Sequence, residues 1–223
     1  MERILLKKND NFFIKNNISI INCISDIPEK SCIIFVKKKI IYELLSAIKQ
    51  KKYVYILILE KKDTLFDYKK CTIPSNIIKI YTNTYIDHPI IKYIPMGGDY
   101  NYKGPVTNLN TERNILCYCN FTLNTHNDRR KIYRRIKNKK FIKFEGMSEK
   151  FPVYSISRHI FFERLSNSKF VICPRGNSLD THRFYDTIYA GGIPIVVREY
   201  YHSEKLFGNI PILFLKNREE FQY

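Results

Sequence analysis

Short apolar runs alternate with helical patterns from one end of the chain to the other. Residues 18–23 read as a strand and 31–36 as a firmer one. Ile40, Ile41, Leu44, Leu45 and Ile48 then recur at the spacing of one helix face, which predicts a helix over 40–49. Further strands are predicted at 53–59, 77–81 and 90–94. From Pro95 to Pro105, continuing to Asn110, the chain is rich in breakers, and the interdomain linker is placed there. A second series opens with a strand at 114–121 and a strongly basic helix, capped by Asn127 or Asp128, that runs to about Lys137. A strand at 141–144 and a helix at 155–165 follow. Next come a strand at 170–173, a helix capped by Asp180 or Thr181 and closed by Gly191-Gly192, and a strand at 193–197. A short helix at 201–207 and a strand at 210–215 complete the series. Strands and helices in alternation predict an α/β protein with parallel sheets flanked by helices, divided into domains 1–105 and 106–223.

Composition adds a frame to this pattern. With 223 residues, 44% of them hydrophobic, the chain has material for a real core, in one domain or two small ones. The longest apolar runs, 33–36, 54–59 and 170–173, fall well short of the ~18 residues of a membrane span. Charges flank a three-residue apolar patch at the N-terminus, which is not the layout of a secretory signal, so a soluble, cytoplasmic protein is expected. Six cysteines, at 23, 32, 71, 117, 119 and 173, lack the spacing of a disulfide scaffold or a zinc ribbon and read as reduced thiols.

The net charge of +17, from 38 Lys and Arg against 21 Asp and Glu, invites a nucleic-acid partner. The lysines are spread over the whole length, however, and so speak first to solubility and non-specific association. The densest run is Arg129, Arg130, Lys131, Arg134, Arg135, Lys137, Lys139 and Lys140. It reads as a solvated helix face, with a surface for an anionic partner such as glycan, membrane or RNA as the sharper alternative.

Candidate chemistry concentrates between the strand at 170–173 and the helix after it. The turn carries Arg175, Gly176, Asn177 and Ser178, where the helix's unpaired N–H groups and positive dipole end point, which predicts a phosphate-bearing ligand. Arg175 and Arg183 are the cations expected to grip a diphosphate, and Gly176 leaves room for the ligand to approach the backbone. Asn177 and Ser178 offer further hydrogen bonds, and His182 is a further candidate contact to the bound ligand. The plain alternatives are an i,i+3 surface pair between Arg183 and Asp186 and ordinary turn-making by the others.

The segment SKFVICPRGNSLDTHRFYDTIYAGGIPIVV, residues 168–197, resembles the donor-binding segment of exostosin-type glycosyltransferases. Two further segments, DHPIIKYIPMGG at 87–98 and NILCYCNFTLNTHNDRRKIYRRI at 114–136, are similar to soluble exostosin-like proteins of large DNA viruses and algae. The resemblance implies a GT-B glycosyltransferase of two Rossmann-like domains, its second half holding a nucleotide sugar (UDP- or GDP-sugar) and its first admitting a glycan acceptor. Asp186 stands where that family has a Glu that hydrogen-bonds the donor ribose. No Asp-x-Asp triplet occurs, so no metal and no cofactor is expected, as the GT-B resemblance also implies. Inversion at the sugar carbon then needs a general base, for which Asp87 and His88 rank ahead of Glu60 and Asp63. No room is left for the long final helix of many GT-B enzymes, so a minimal C-terminus is expected. The resulting expectation is a metal-independent, inverting glycosyltransferase. Its alternative is a catalytically degenerate GT-B-like protein that binds a glycan or nucleic acid through its basic surface.

Overall fold

The computed structural model describes residues 17–60, 66–84, 86–98, 112–145, 156–177, 180–198 and 209–222. The chain divides into two compact units, Met1–Pro95 and Met96–Tyr223.

In the first unit the apolar runs become β1 (Ile18–Ile21), β2 (Cys32–Val36), β3 (Tyr55–Leu59), β4 (Ile77–Thr82) and β5 (Ile91–Tyr93). They form one parallel sheet in the order β1-β2-β3-β4-β5. Helix α1 (Ile41–Ile48) links β2 to β3, and the periodic residues Ile41, Leu44, Leu45 and Ile48 are the ones it buries. They join Ile34, Val36, Leu57 and Ile80 in a single core.

The second unit repeats the theme with a different strand order. Its elements are β6 (Ile115–Cys119), α2 (Asn127–Ile136), β7 (Ile142–Phe144), α3 (Arg158–Ser166), β8 (Ser168–Ile172), α4 (His182–Tyr189), β9 (Ile193–Val197) and β10 (Leu213–Leu215). The sheet is parallel and runs β10-β9-β8-β6-β7. The chain leaves β6 in one direction to make β7, then crosses back to make β8 on the other side. Connections from β6 and β8 therefore depart in opposite directions, which opens a crevice at the carboxyl ends of these two strands. Arg113 anchors the opposite end: its guanidinium donates to the carbonyls of Ser168 (2.7 Å), Leu165 (3.3 Å) and Ala190 (2.9 Å), sealing the ends of α3 and α4.

Two parallel five-stranded sheets flanked by helices bear out the expected α/β fold of two Rossmann-like units. Several local expectations need correction. The cap of α2 is His126, not Asn127 or Asp128: its backbone is extended (φ −155°, ψ 145°) and its Nδ1 accepts from the Asp128 N–H. Thr181 occupies the cap position of α4 but makes no side-chain cap bond. Gly191 does end α4, with φ at 71°, and the Gly192 N–H returns to the Thr187 carbonyl at 2.9 Å. The predicted helix at 201–207 and most of the predicted linker, 99–111, lie outside the described residues.

All six cysteines are free thiols. Burial pushes Cys117 and Cys173 up to about 12 and raises Cys119 as well, so these three are inert at neutral pH. Among the described residues, no helix is long and apolar enough to cross a membrane.

Candidate functional site

The crevice of the second unit is walled by arginines. The loop that leaves β6 carries Thr122 and Thr125 and turns into α2, whose third residue is Arg129. Arg129 falls in helical phase with Ile132 and Ile136, and all three are buried. Its Nε donates to the Arg175 carbonyl at 2.7 Å, and its Nη1 donates to the Thr122 carbonyl at 3.0 Å and to Thr125 Oγ1 at 3.2 Å. The guanidinium also rests over the Phe121 ring, 5.7 Å from its centroid. Arg129 thus clips the loop after β6 to the loop after β8. The same clip explains Gly176: a Cβ there would stand 3.1 Å from Arg129 Nη2.

Arg183, in the first turn of α4, points toward the same region. Its Nη2 donates to Asn120 Oδ1 at 3.2 Å, and its guanidinium lies 5.6 Å from the Phe161 ring centroid. Asn120, at the carboxyl end of β6, is held in turn by its Nδ2 donating to the Glu145 carbonyl at 2.8 Å. Arg183 Nε is buried with no hydrogen-bond partner. Among the described residues neither Arg129 nor Arg183 forms an ion pair with a carboxylate. Burial first, and then the charge of Arg183, push Arg129 down to about 9, while burial lowers Arg183. Both guanidiniums stay protonated at neutral pH. Two neighbouring, desolvated charges of one sign are a costly arrangement that an anion relieves.

The residues singled out from the sequence are placed as follows. Arg175 is half-buried, turning back on its own loop with Nε to the Gly176 carbonyl (3.3 Å) and Nη2 to the Asn177 carbonyl (3.5 Å). Asn177 is exposed, and Ser178 lies outside the described residues. His182 Nδ1 meets the Gly97 carbonyl at 2.8 Å, so this ring ties the segment after Pro95 onto α4. Asp186 is not on a helix surface: it is 1% exposed and accepts from Arg158 Nη2 at 3.1 Å. Asp180 precedes the cap of α4, its Oδ2 accepting from the Met96 N–H (2.7 Å) and the Tyr185 hydroxyl (2.6 Å), while its Oδ1 is buried without a partner. An acid thus already answers the positive field at this helix end, and the positive charge of the crevice comes from the arginines.

Asp87 and His88 belong to the first unit, in the loop that leads into β5. Asp87 is exposed; His88 Nδ1 accepts from the Ile90 N–H at 3.4 Å, and its ring packs 5.4 Å from that of Tyr68. Glu60 follows β3 directly, and Asp63 lies outside the described residues. The structure therefore brings Arg175, Gly176 and Arg183 together around Arg129 and Asn120, two residues not singled out for the site from the sequence. The reading of the basic run as one solvated face is corrected at Arg129, which is 6% exposed. Among the described residues, no group of three or more His, Cys, Asp or Glu is arranged to hold a metal ion.

Two Rossmann-like units, one with a doubly wound sheet and an arginine-walled crevice at its point of reversal, have the composition of a GT-B-type enzyme. Residues 86–205, more than half of the chain, match the family model for the Exostosin GT47 domain. The chain belongs to this glycosyltransferase family. No curated protein matches it.

Proposed function

We propose that the protein transfers a sugar, with inversion and without a metal ion, from a UDP- or GDP-sugar to a hydroxyl of a glycan acceptor. The observation that carries this reading is the pair of guanidiniums at the β6/β8 crevice, buried Arg129 and half-buried Arg183 with its Nε out of water, neither of them in an ion pair with a carboxylate among the described residues. A diphosphate supplies negative charge beyond that of the Asp186 carboxylate, which Arg183 already feels. As the anomeric C–O bond to the diphosphate breaks, charge accumulates on the leaving oxygens, and fixed, desolvated cations stabilise that charge more than they stabilise the bound donor. Arg175 and Asn177, in the loop after β8, and from the sequence Ser178 are assigned to the same phosphates, with Gly176 keeping the loop thin. His182 holds the Gly97 carbonyl against the start of α4.

Asp186 is assigned a role through Arg158, the partly exposed cation it holds, rather than direct contact with the ribose, because its own carboxylate is buried in that pair. The acceptor hydroxyl loses its proton to a general base as its oxygen bonds to the sugar carbon. Asp87, whose carboxylate is exposed, is assigned this role; His88 serves the turn. Metal independence is supported by the absence of an Asp-x-Asp triplet and by the guanidiniums, which supply the positive charge.

The test is thermal unfolding with UDP, GDP and their sugar conjugates. At a ligand concentration about 100 times Kd, binding stabilises the native state by about 2.7 kcal/mol. The wild type should show the corresponding rise in Tm with one nucleotide series, undiminished by EDTA, and Arg175→Ala should lose it. No rise with any of these nucleotides refutes the proposal.

A further inference from the structure

Beyond Arg129, the basic run forms a second feature that the transferase reading leaves unused. Arg130, Lys131 and Arg134 lie on the solvent side of α2, followed by Lys137 and Lys140, and all five are exposed. Lys137 keeps helical angles (φ −54°, ψ −26°), so Arg130, Arg134 and Lys137 form one stripe with a step of about one turn, ~5.4 Å. Among the described residues none of the five has an acidic partner. Nearby acids are committed elsewhere: Glu219 to Arg135, Asp128 to Arg218 and Glu145 to Lys143 and Arg164. Phe141 follows Lys140 directly in the sequence and is 49% exposed, an aromatic ring just beyond the helix.

We infer that this face binds single-stranded nucleic acid, with the cations tracking successive phosphates and Phe141 stacking on a base. Evenly spaced cations along a helix suit a linear phosphate chain, and an exposed ring just beyond the helix gives an unpaired base a platform. An anionic bilayer is a poorer occupant. The apolar side of α2 is committed to the core through Ile132 (0% exposed) and Ile136 (1%), so the helix has no apolar face to insert among lipids.

The experiment is fluorescence anisotropy with a labelled oligouridylate across a salt series. Five phosphate contacts on a single strand predict a slope of about −3.5 in log K against log salt, a loss of about a hundredfold between about 50 and 200 mM. The triple variant Arg130→Gln, Lys131→Gln, Arg134→Gln should flatten the slope by about 2. Phe141→Ala should weaken binding at least about fivefold with the slope kept. All four positions are exposed, and circular dichroism confirms that the variants fold. An unchanged slope in the triple variant or an unchanged affinity in Phe141→Ala overturns the inference. So does displacement of the oligonucleotide by phosphatidylserine vesicles, or by UDP, which would place binding in the β6/β8 crevice instead. The outcome is independent of whether the protein transfers sugar.

Discussion

Replacing Gly176 by Ala tests whether the Arg129 clip is rigid. The glycine does not sit in the left-handed region, so alanine costs no backbone strain there. By itself the change should stabilise the protein by about 0.4–1 kcal/mol, because alanine restricts the unfolded chain. The added methyl, however, would stand 3.1 Å from Arg129 Nη2 and 3.5 Å from Thr125 Cγ2. A guanidinium at the end of a free side chain would swing away at little cost. This one is fixed by bonds of 2.7, 3.0 and 3.2 Å, so it yields by giving up one of them. A hydrogen bond from a charged donor contributes about 1.5–3 kcal/mol, which leaves a net destabilisation of about 0.5–2.5 kcal/mol. The chain has no Trp, so urea unfolding is followed by far-UV circular dichroism. The decisive measurement is the cycle with Arg129→Met, in which the guanidinium is gone and Gly176→Ala should turn neutral or stabilising. An equal cost in both backgrounds would refute the clip as the reason for glycine.

Two further predictions use charge. His126 is lowered from 6.5, first by its burial and then by the charge of Arg175, and its Nδ1 accepts the Asp128 N–H only when unprotonated. A folded-state value below the unfolded one means that the unfolded chain takes up the proton first. The stability this histidine contributes is complete above about pH 6.5 and falls as the pH drops through its folded value. Urea midpoints at about pH 7.5 and about pH 5.5 should differ less in His126→Asn, which keeps an acceptor at the cap, than in the wild type; equal differences would remove the argument. The two sets of cations should also separate by salt. Buried guanidiniums are screened little, so nucleotide affinity should change only a few-fold between about 50 and 200 mM salt, whereas oligonucleotide affinity falls about a hundredfold. A steep salt dependence for the nucleotide would move its binding out of the crevice.

The strands and their approximate limits were legible because each is a local apolar run: 193–197 became β9 unchanged, and 170–173 falls on β8, which begins two residues earlier and ends one earlier. The glycine stop of α4 was legible for the same reason. The cap of α2 was not, because preference for short acids and amides hid the ring of His126. Arg129 was masked by its neighbours. In a run of basic residues the composition suggests a solvated face, and only its phase with Ile132 and Ile136 marks it as inward. Pairs such as Arg158 with Asp186 and Arg183 with Asn120 join residues 28 and 63 apart in sequence, and no local pattern encodes them.

Strand order is the deepest of these hidden features, and it decides where the proposed site sits. The two sheets are built from similar apolar runs, yet the first unit adds its described strands in chain order, while the second reverses once, between β6 and β8. Only a reversal splits the connections apart at the carboxyl edge and leaves a crevice. Arg129 and Arg183 meet there because its walls are the loop after β6, which carries Arg129 at its exit, and the start of α4, which carries Arg183. The net charge of +17 is thus a poor guide to the site. Among the described residues most Lys and Arg side chains are at least partly exposed and screened, whereas the proposed anion site rests on Arg129, which is buried, and Arg183, which is half-buried.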